Sequence, residues 1–196
     1  MKKFLIIFFI FSINFNLNSF GNENLNDITE GNEDAKIKIF VYSSLTCPHC
    51  ASFHNNIYPL LKKDFIDNGM VKIYFKHFPL DLAALNASKI LQCANKKNRL
   101  ILLNHLYKNQ EKWIQGKTIE KINKNLKNIL TDLKISEVDF NKCLAMKDVE
   151  DFILNERIEA VKKHEINSTP SIIINDEKFK NAIEYKNLKK IIEKLI

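Results

Sequence analysis

The stretch A-K-I-K-I-F-V-Y-S-S-L-T-C-P-H-C, residues 35–50, decides the fold. It opens with charged and apolar residues in alternation, becomes continuously apolar at Ile39-Phe40-Val41-Tyr42, and closes on two cysteines two residues apart. Such a run is that of a strand buried on both faces. Beyond it Phe53, Ile57, Leu60, Leu61 and Phe65 recur at helical spacing, which predicts a helix from Cys50 to Asn68 with Gly69 as a left-handed cap. Thr46 is expected as its N-cap, and Pro48 suits the first turn because the N–H it lacks would have no helical partner. Cys47 then lies where free backbone N–H groups and the helix dipole favour a negative sulfur. His49, as a cation or donor, would add to that. A thiolate held below its free pKa leaves readily and makes its disulfide more oxidising.

Outward from this junction, V-K-I-Y-F-K-H-F (residues 71–78) alternates and is bounded by Pro79, so it reads as a second strand. A right-handed parallel crossover is the default geometry for strand–helix–strand. Residues 22–34 read as a polar lead-in. From Leu82 to about Lys163 the pattern is nearly all helical: Leu82 to Ala94, Leu100 to Trp113, Thr118 to Leu130, a helix opened by Ser136 with Asp139 three residues on, and Val149 to Lys163. The period then changes. Ser171 to Asn175 is a β-branched strand, Asn175-Asp176 a turn, Glu177 to Phe179 a return strand, and Tyr185 to Leu195 an amphipathic helix. A helical block set into a strand–helix–strand and hairpin–helix frame accounts for the whole order.

The net charge of +7 comes almost wholly from lysine, Arg99 and Arg157 being the only arginines. No basic stripe is interleaved with aromatics, which argues against nucleic acid as a partner. Met1-Lys2-Lys3, the apolar run from Phe4 to Phe15 and Ser19-Phe20-Gly21 read as a secretory signal peptide over residues 1–21, followed by one domain over 22–196. The apolar part is shorter than the ~20 residues a spanning helix needs; an uncleaved anchor is the alternative. Export places the four cysteines where disulfides persist. Cys93 and Cys143 fall in separate predicted helices without metal-ligand spacing, either as a bridge or as two free buried thiols. His54 follows Cys50 by one helical turn, so Cys47, His49, Cys50 and His54 could hold Cu(I). His77, His105 and His164 are expected at the surface or at helix ends.

G-N-E-D-A-K-I-K-I-F (31–40), C-P-H-C (47–50), F-P-L (78–80) and S-T-P-S-I-I-I-N (168–175) together resemble the DsbA-like periplasmic thiol:disulfide oxidoreductases of the thioredoxin superfamily. The resemblance implies a thioredoxin-like α/β fold with an all-helical subdomain inserted at about 82–163. It implies Cys47 as exposed nucleophile, Cys50 as buried resolving thiol and His49 as their helper. Pro170 would be a cis-proline beside the pair, with Thr169 and Pro48 at the substrate surface, and Cys93–Cys143 a structural disulfide. Neither cofactor nor metal is implied. The expected protein is a periplasmic monomer that oxidises reduced or unfolded exported proteins and is recycled by a quinone-linked membrane oxidase. A reductase or isomerase using the same chemistry, and a copper-binding module, are the alternatives. One departure stands out: many relatives carry an acidic residue six positions before the first cysteine, where this chain has Val41. Protons must then reach the resolving thiol through water or another group.

Overall fold

The computed structural model describes residues 25–136 and 138–196. The signal peptide expected over residues 1–21 lies outside them. Among the described residues a five-stranded sheet forms from β1 (Ile28–Glu30), β2 (Ile37–Ser43), β3 (Val71–His77), β4 (Ser171–Ile174) and β5 (Glu177–Lys178), in the order β1-β3-β2-β4-β5. β2 and β3 run parallel, as a crossover connection requires, and the remaining pairs are antiparallel. This is the thioredoxin-like α/β arrangement.

β1 lies inside the segment read as polar lead-in, and is a correction to that reading. It has three residues, and of these only Ile28 is buried, opposite Phe75. Such a strand leaves almost no periodic trace. Gly31, which follows it, turns with φ near +111°, and a side chain there would meet the Val71 carbonyl.

The crossover from β2 to β3 starts with α1 (Pro48–Ser52), passes through a π-helical turn at Phe53–Ile57, returns to α2 (Tyr58–Leu61), and widens again at Lys62–Ile66. The first widening has a cause in the sequence. Pro59 has no N–H to give back to the preceding turn and its ring would clash there, so the backbone loosens just before it, with the Tyr58 N–H reaching back to the Phe53 carbonyl. Gly69 caps the end with φ +73°; its N–H bonds to the Ile66 carbonyl and that of Met70 to the Phe65 carbonyl. Leu60, expected on the core face, is exposed.

Between β3 and β4 comes the helical insertion: α3 (Leu82–Cys93), α4 (Lys96–Lys108), α5 (Gln110–Trp113), α6 (Ile119–Asp132), α7 (Phe140–Ala145) and α8 (Lys147–His164). Asp81, Thr118 and Asp139 cap α3, α6 and α7 by accepting from a backbone N–H three residues on. Asp139, not Ser136, therefore opens α7, because the carboxylate sits directly before the helix while Ser136 is a turn too early. α9 (Tyr185–Leu195) closes the chain and buries Leu188 and Ile192. The sheet separates two cores. Ile37, Ile39 and Val41 of β2 face the larger one, with Trp113, Leu102 and Leu106 of the insertion. Phe40 and Tyr42 point to the opposite face, where Phe78, Ile173 and Ala160 of α8 cover them.

Candidate active site

Cys47 sits at the N-cap of α1 in extended conformation, and its carbonyl accepts the first helical bond, from Ala51, at 3.1 Å. Thr46 does not cap. Its hydroxyl donates to Asp81 at 2.7 Å and shares a bond with Ser44 at 3.1 Å, so it ties the loop to the start of α3. Pro48 takes the first helical position and is exposed, as is His49.

The antiparallel register that sets Tyr42 opposite Ser171 carries the residues just before β4 to the end of β2 where Cys47 lies. The Thr169–Pro170 peptide is cis. The Cys47 thiol donates to the Thr169 carbonyl at 3.4 Å, across 122 residues of chain. Cys47, Thr169 and Pro170 are thus brought together. Beside them runs a groove of about 320 Å3 lined by His49, Ser52, Phe53, Ile57, Pro170 and Ile183.

The two thiols are tuned apart. Cys47 is not exposed as expected: it is 8 % exposed against 1 % for Cys50. Burial pushes the Cys47 thiol up, but the Thr169 side chain and the N–H groups at the helix start (Cys50 and His49) outweigh it, and the net shift is downward. His49 therefore acts on this sulfur through its backbone. Burial pushes Cys50 up to about 12, with help from the Thr169 side chain and the Ser44 backbone insufficient to offset it. The Thr169 hydroxyl is buried and has no hydrogen-bond partner beside the two free thiols, yet it lies where it lowers both. The two facts agree if its bond forms only to a charged sulfur, which is the stronger acceptor.

Gln110 is a site residue that the sequence did not reveal. It is 4 % exposed, and its amide donates to the Leu45 carbonyl at 2.8 Å and the Cys47 carbonyl at 3.0 Å. It thereby anchors the loop that carries the pair.

His54 is committed elsewhere. It is buried among the rings of Tyr58, Phe75 and Tyr107 at 4.7–5.3 Å, and its Nε2 meets Asn104 Oδ1 at 2.6 Å. Burial pushes its pKa down to about 4. A ligand set of Cys47, His49, Cys50 and His54 does not assemble, and the described residues contain no cluster of three or more His, Cys, Asp or Glu suited to a metal. His77 is also buried, not at the surface, because its Nε2 has a partner in the Gln92 amide at 3.1 Å. Far along the chain, Cys93 at the end of α3 and Cys143 in α7 are joined by a disulfide.

Residues 23–194 match the family described as thioredoxin. A Rickettsia bellii protein, given the provisional name of protein-disulfide oxidoreductase, is 28 % identical over 161 residues, covering 80 % of this chain and 60 % of its own. The chain thus spans about three fifths of that curated relative. Disulfide bond formation protein D of Bacillus subtilis is 26 % identical over 173 residues, covering 84 % of this chain and 74 % of its own. Among solved structures, Wolbachia pipientis alpha-DsbA1 superposes with a TM-score of 0.79 at 28 % identity, over 87 % of this chain and 90 % of that one. With the family matched over residues 23–194 and a DsbA structure superposing on most of the chain, this chain belongs to the thioredoxin family as a DsbA-like member.

Proposed function

We propose that the chain is a thiol–disulfide oxidoreductase whose working direction is oxidation: it introduces disulfides into exported proteins through Cys47 and Cys50. The observation that carries this is the pairing of a lowered Cys47 thiol, held against the Thr169 carbonyl, with a Cys50 thiol pushed up to about 12. In the oxidised protein a substrate thiolate bonds to Cys47 Sγ. The Cys47–Cys50 bond breaks, and its electron pair leaves with Cys50 Sγ, which takes up a proton. A second substrate thiolate then attacks the substrate sulfur of the mixed disulfide. The Cys47 thiolate leaves, and the substrate departs with its own disulfide. The easier it is for Cys47 to carry charge, the further this exchange runs toward oxidised substrate.

Thr169 and Pro170 line the site with backbone an extended substrate segment can pair with, and the groove beside Pro170 and Phe53 accepts its neighbouring side chains. His49 and Pro48, both exposed at the helix start, are the surface the segment meets first. Cys93–Cys143 serves as the structural brace of the insertion. Reduced or unfolded exported proteins are the substrates, and a quinone-linked membrane oxidase restores the disulfide. The protein works as a monomer in the periplasm; no helix among the described residues is long and apolar enough to cross a membrane.

Two measurements test this. The oxidised protein should transfer its disulfide to a reduced, unfolded substrate protein, and Cys47→Ser should abolish transfer. The reduction potential of the pair should lie well above the thioredoxin value of about −270 mV. A potential at or below that value makes the pair a reductant and overturns the oxidase direction.

A further inference from the structure

We propose that Gln110 is a positioning residue of the exchange reaction: by pinning the Cys47 backbone it holds the Cys47 sulfur in line for displacement. This rests on the dithiol reading above and names the group through which the helical insertion acts on it. Whenever the pair opens or closes, Cys47 Sγ is the middle one of three sulfurs. To close the pair, the Cys50 thiolate bonds to Cys47 Sγ while the bond from Cys47 to the outer sulfur breaks, its electron pair leaving with that sulfur. To open it, an outer thiolate bonds to Cys47 Sγ and the electron pair of the broken bond leaves with Cys50. Displacement at sulfur needs the three atoms close to a line, so a misplaced middle sulfur slows both directions.

Cys47 is fixed from both sides of its Cα. Its N–H bonds to the Ser44 carbonyl at 3.1 Å, which closes a turn over residues 44–47. Its carbonyl accepts from the Ala51 N–H at 3.1 Å and from the Gln110 amide at 3.0 Å. With φ −79° and ψ 122° held in this way, the side chain keeps little freedom beyond rotation about its own Cα–Cβ bond, and the sulfur meets the Thr169 carbonyl at 3.4 Å. The second Gln110 bond, 2.8 Å to the Leu45 carbonyl, secures the turn itself. Leu45 is 3 % exposed, so its carbonyl depends on a donor from the protein, and Gln110 supplies one. A single amide thus grips the chain before and after Thr46.

Gln110 can grip because it is itself held. It is buried as the first residue of α5, whose Trp113 is sunk in the larger core with its Nε1–H donating to the Leu106 carbonyl at 2.9 Å. Asn125 of α6 donates to the carbonyls of Trp113 and Gln115 and braces α5 from its far end. The insertion has another link to this loop, from Asp81 to Thr46, but it lies at the surface, where water competes for both partners. The buried Gln110 bonds are shielded from that competition, so they are the tighter hold. The lowered Cys47 thiol fits the arrangement. Burial opposes its charge, and the Thr169 side chain and the N–H groups of Cys50 and His49 that outweigh burial reach the sulfur only where the backbone places it.

The test uses the full chain with Cys47 loaded as a mixed disulfide with glutathione, and follows glutathione release by Cys50. Gln110→Met keeps the length of the side chain and removes both donors. It should slow release by about 10-fold or more and raise the pH midpoint for alkylation of Cys47 in the reduced protein. Leu126→Ala, which opens a cavity under α6, should lower the urea midpoint and leave both readouts as in the parent. If Gln110→Met does not fold, Gln110→Asn, one methylene too short to reach both carbonyls, decides by the same two readouts. A chain that folds with neither substitution makes Gln110 a residue of the fold alone and overturns the proposal. Release at the parent rate, a Cys47 midpoint equal to that of the parent, or equal slowing in Leu126→Ala also overturns it and leaves the dithiol reading standing. Disulfide transfer that survives Cys47→Ser overturns the dithiol reading itself.

Discussion

At the scale of single residues, the chemistry is a contest between burial and hydrogen bonding at two sulfurs, and the two come out on opposite sides. Cys47 has partners that favour its charged form; Cys50 has too few to offset its burial. Alkylation by iodoacetamide should therefore report a Cys47 midpoint below the ~8.5 of a free cysteine, while Cys50 stays unreactive at every pH below about 12. Thr169→Val keeps the shape of the side chain and removes the hydroxyl, so the Cys47 midpoint should rise. A midpoint unchanged by that substitution would mean that the backbone N–H groups alone hold the thiolate. Part of this site is legible in the sequence alone. C-P-H-C carries its chemistry and its place in the fold in four letters, and the T-P pair stands before a β-branched run. Gln110 was not legible, since its two acceptors lie 63 and 65 residues away and nothing near it marks the contact. Nor was the outward position of the His49 side chain, because spacing along a helix does not say which of two groups, ring or backbone, meets the sulfur.

At the scale of elements, periodicity succeeds where a segment is long and one-sided, as in β2, β3, α6 and α9. It fails where a segment is held by contacts distant in sequence. β1 is three residues long and owes its place to β3 and to Glu30, which bonds to Tyr58 and Lys62 of the crossover helix. The first π-helical turn, at Phe53–Ile57, follows from Pro59, a residue the apolar spacing around it conceals. α7 is a different case. It has six residues, too few to persist alone, and the disulfide from Cys143 to Cys93 ties it to α3. The bridge spans 50 residues of sequence, so by the chain-entropy estimate it contributes about 4 kcal/mol. The double variant Cys93→Ala, Cys143→Ala should lose up to that much stability in urea, with amides of α7 exchanging first. Equal urea midpoints for the variant and the oxidised parent would show that packing of Phe140 suffices without the covalent link.

At the scale of the whole molecule, the insertion has to be fastened to the sheet on the face away from the larger core, and a buried ionic cluster does this. Lys76 of β3 reaches Glu156 of α8 at 2.6 Å and also pairs with Asp27 ahead of β1, while Glu156 accepts the His77 N–H at 2.8 Å. Burial raises the Glu156 carboxyl to about 7, against the opposing pull of Lys76 and the His77 N–H. A folded-state pKa above the unfolded one means that the folded protein keeps a proton the unfolded chain has already lost. The stability this contributes is complete below about 4.5, and it is lost as pH rises through about 7. His54 and His77 work the other way: both are kept neutral by burial, so the stability they contribute is present above 6.5 and declines as pH falls toward their folded values of about 4 and about 3. Comparing the parent with Glu156→Gln removes the histidine contribution, since both proteins share it. In the oxidised state, where Cys47 and Cys50 do not titrate, the urea midpoint of the parent should fall relative to that of the variant between pH 5 and pH 8. If it rises instead, the pull of Lys76 exceeds the cost of burial, Glu156 is ionised throughout, and the fastening of insertion to sheet is an ion pair at every pH the protein meets.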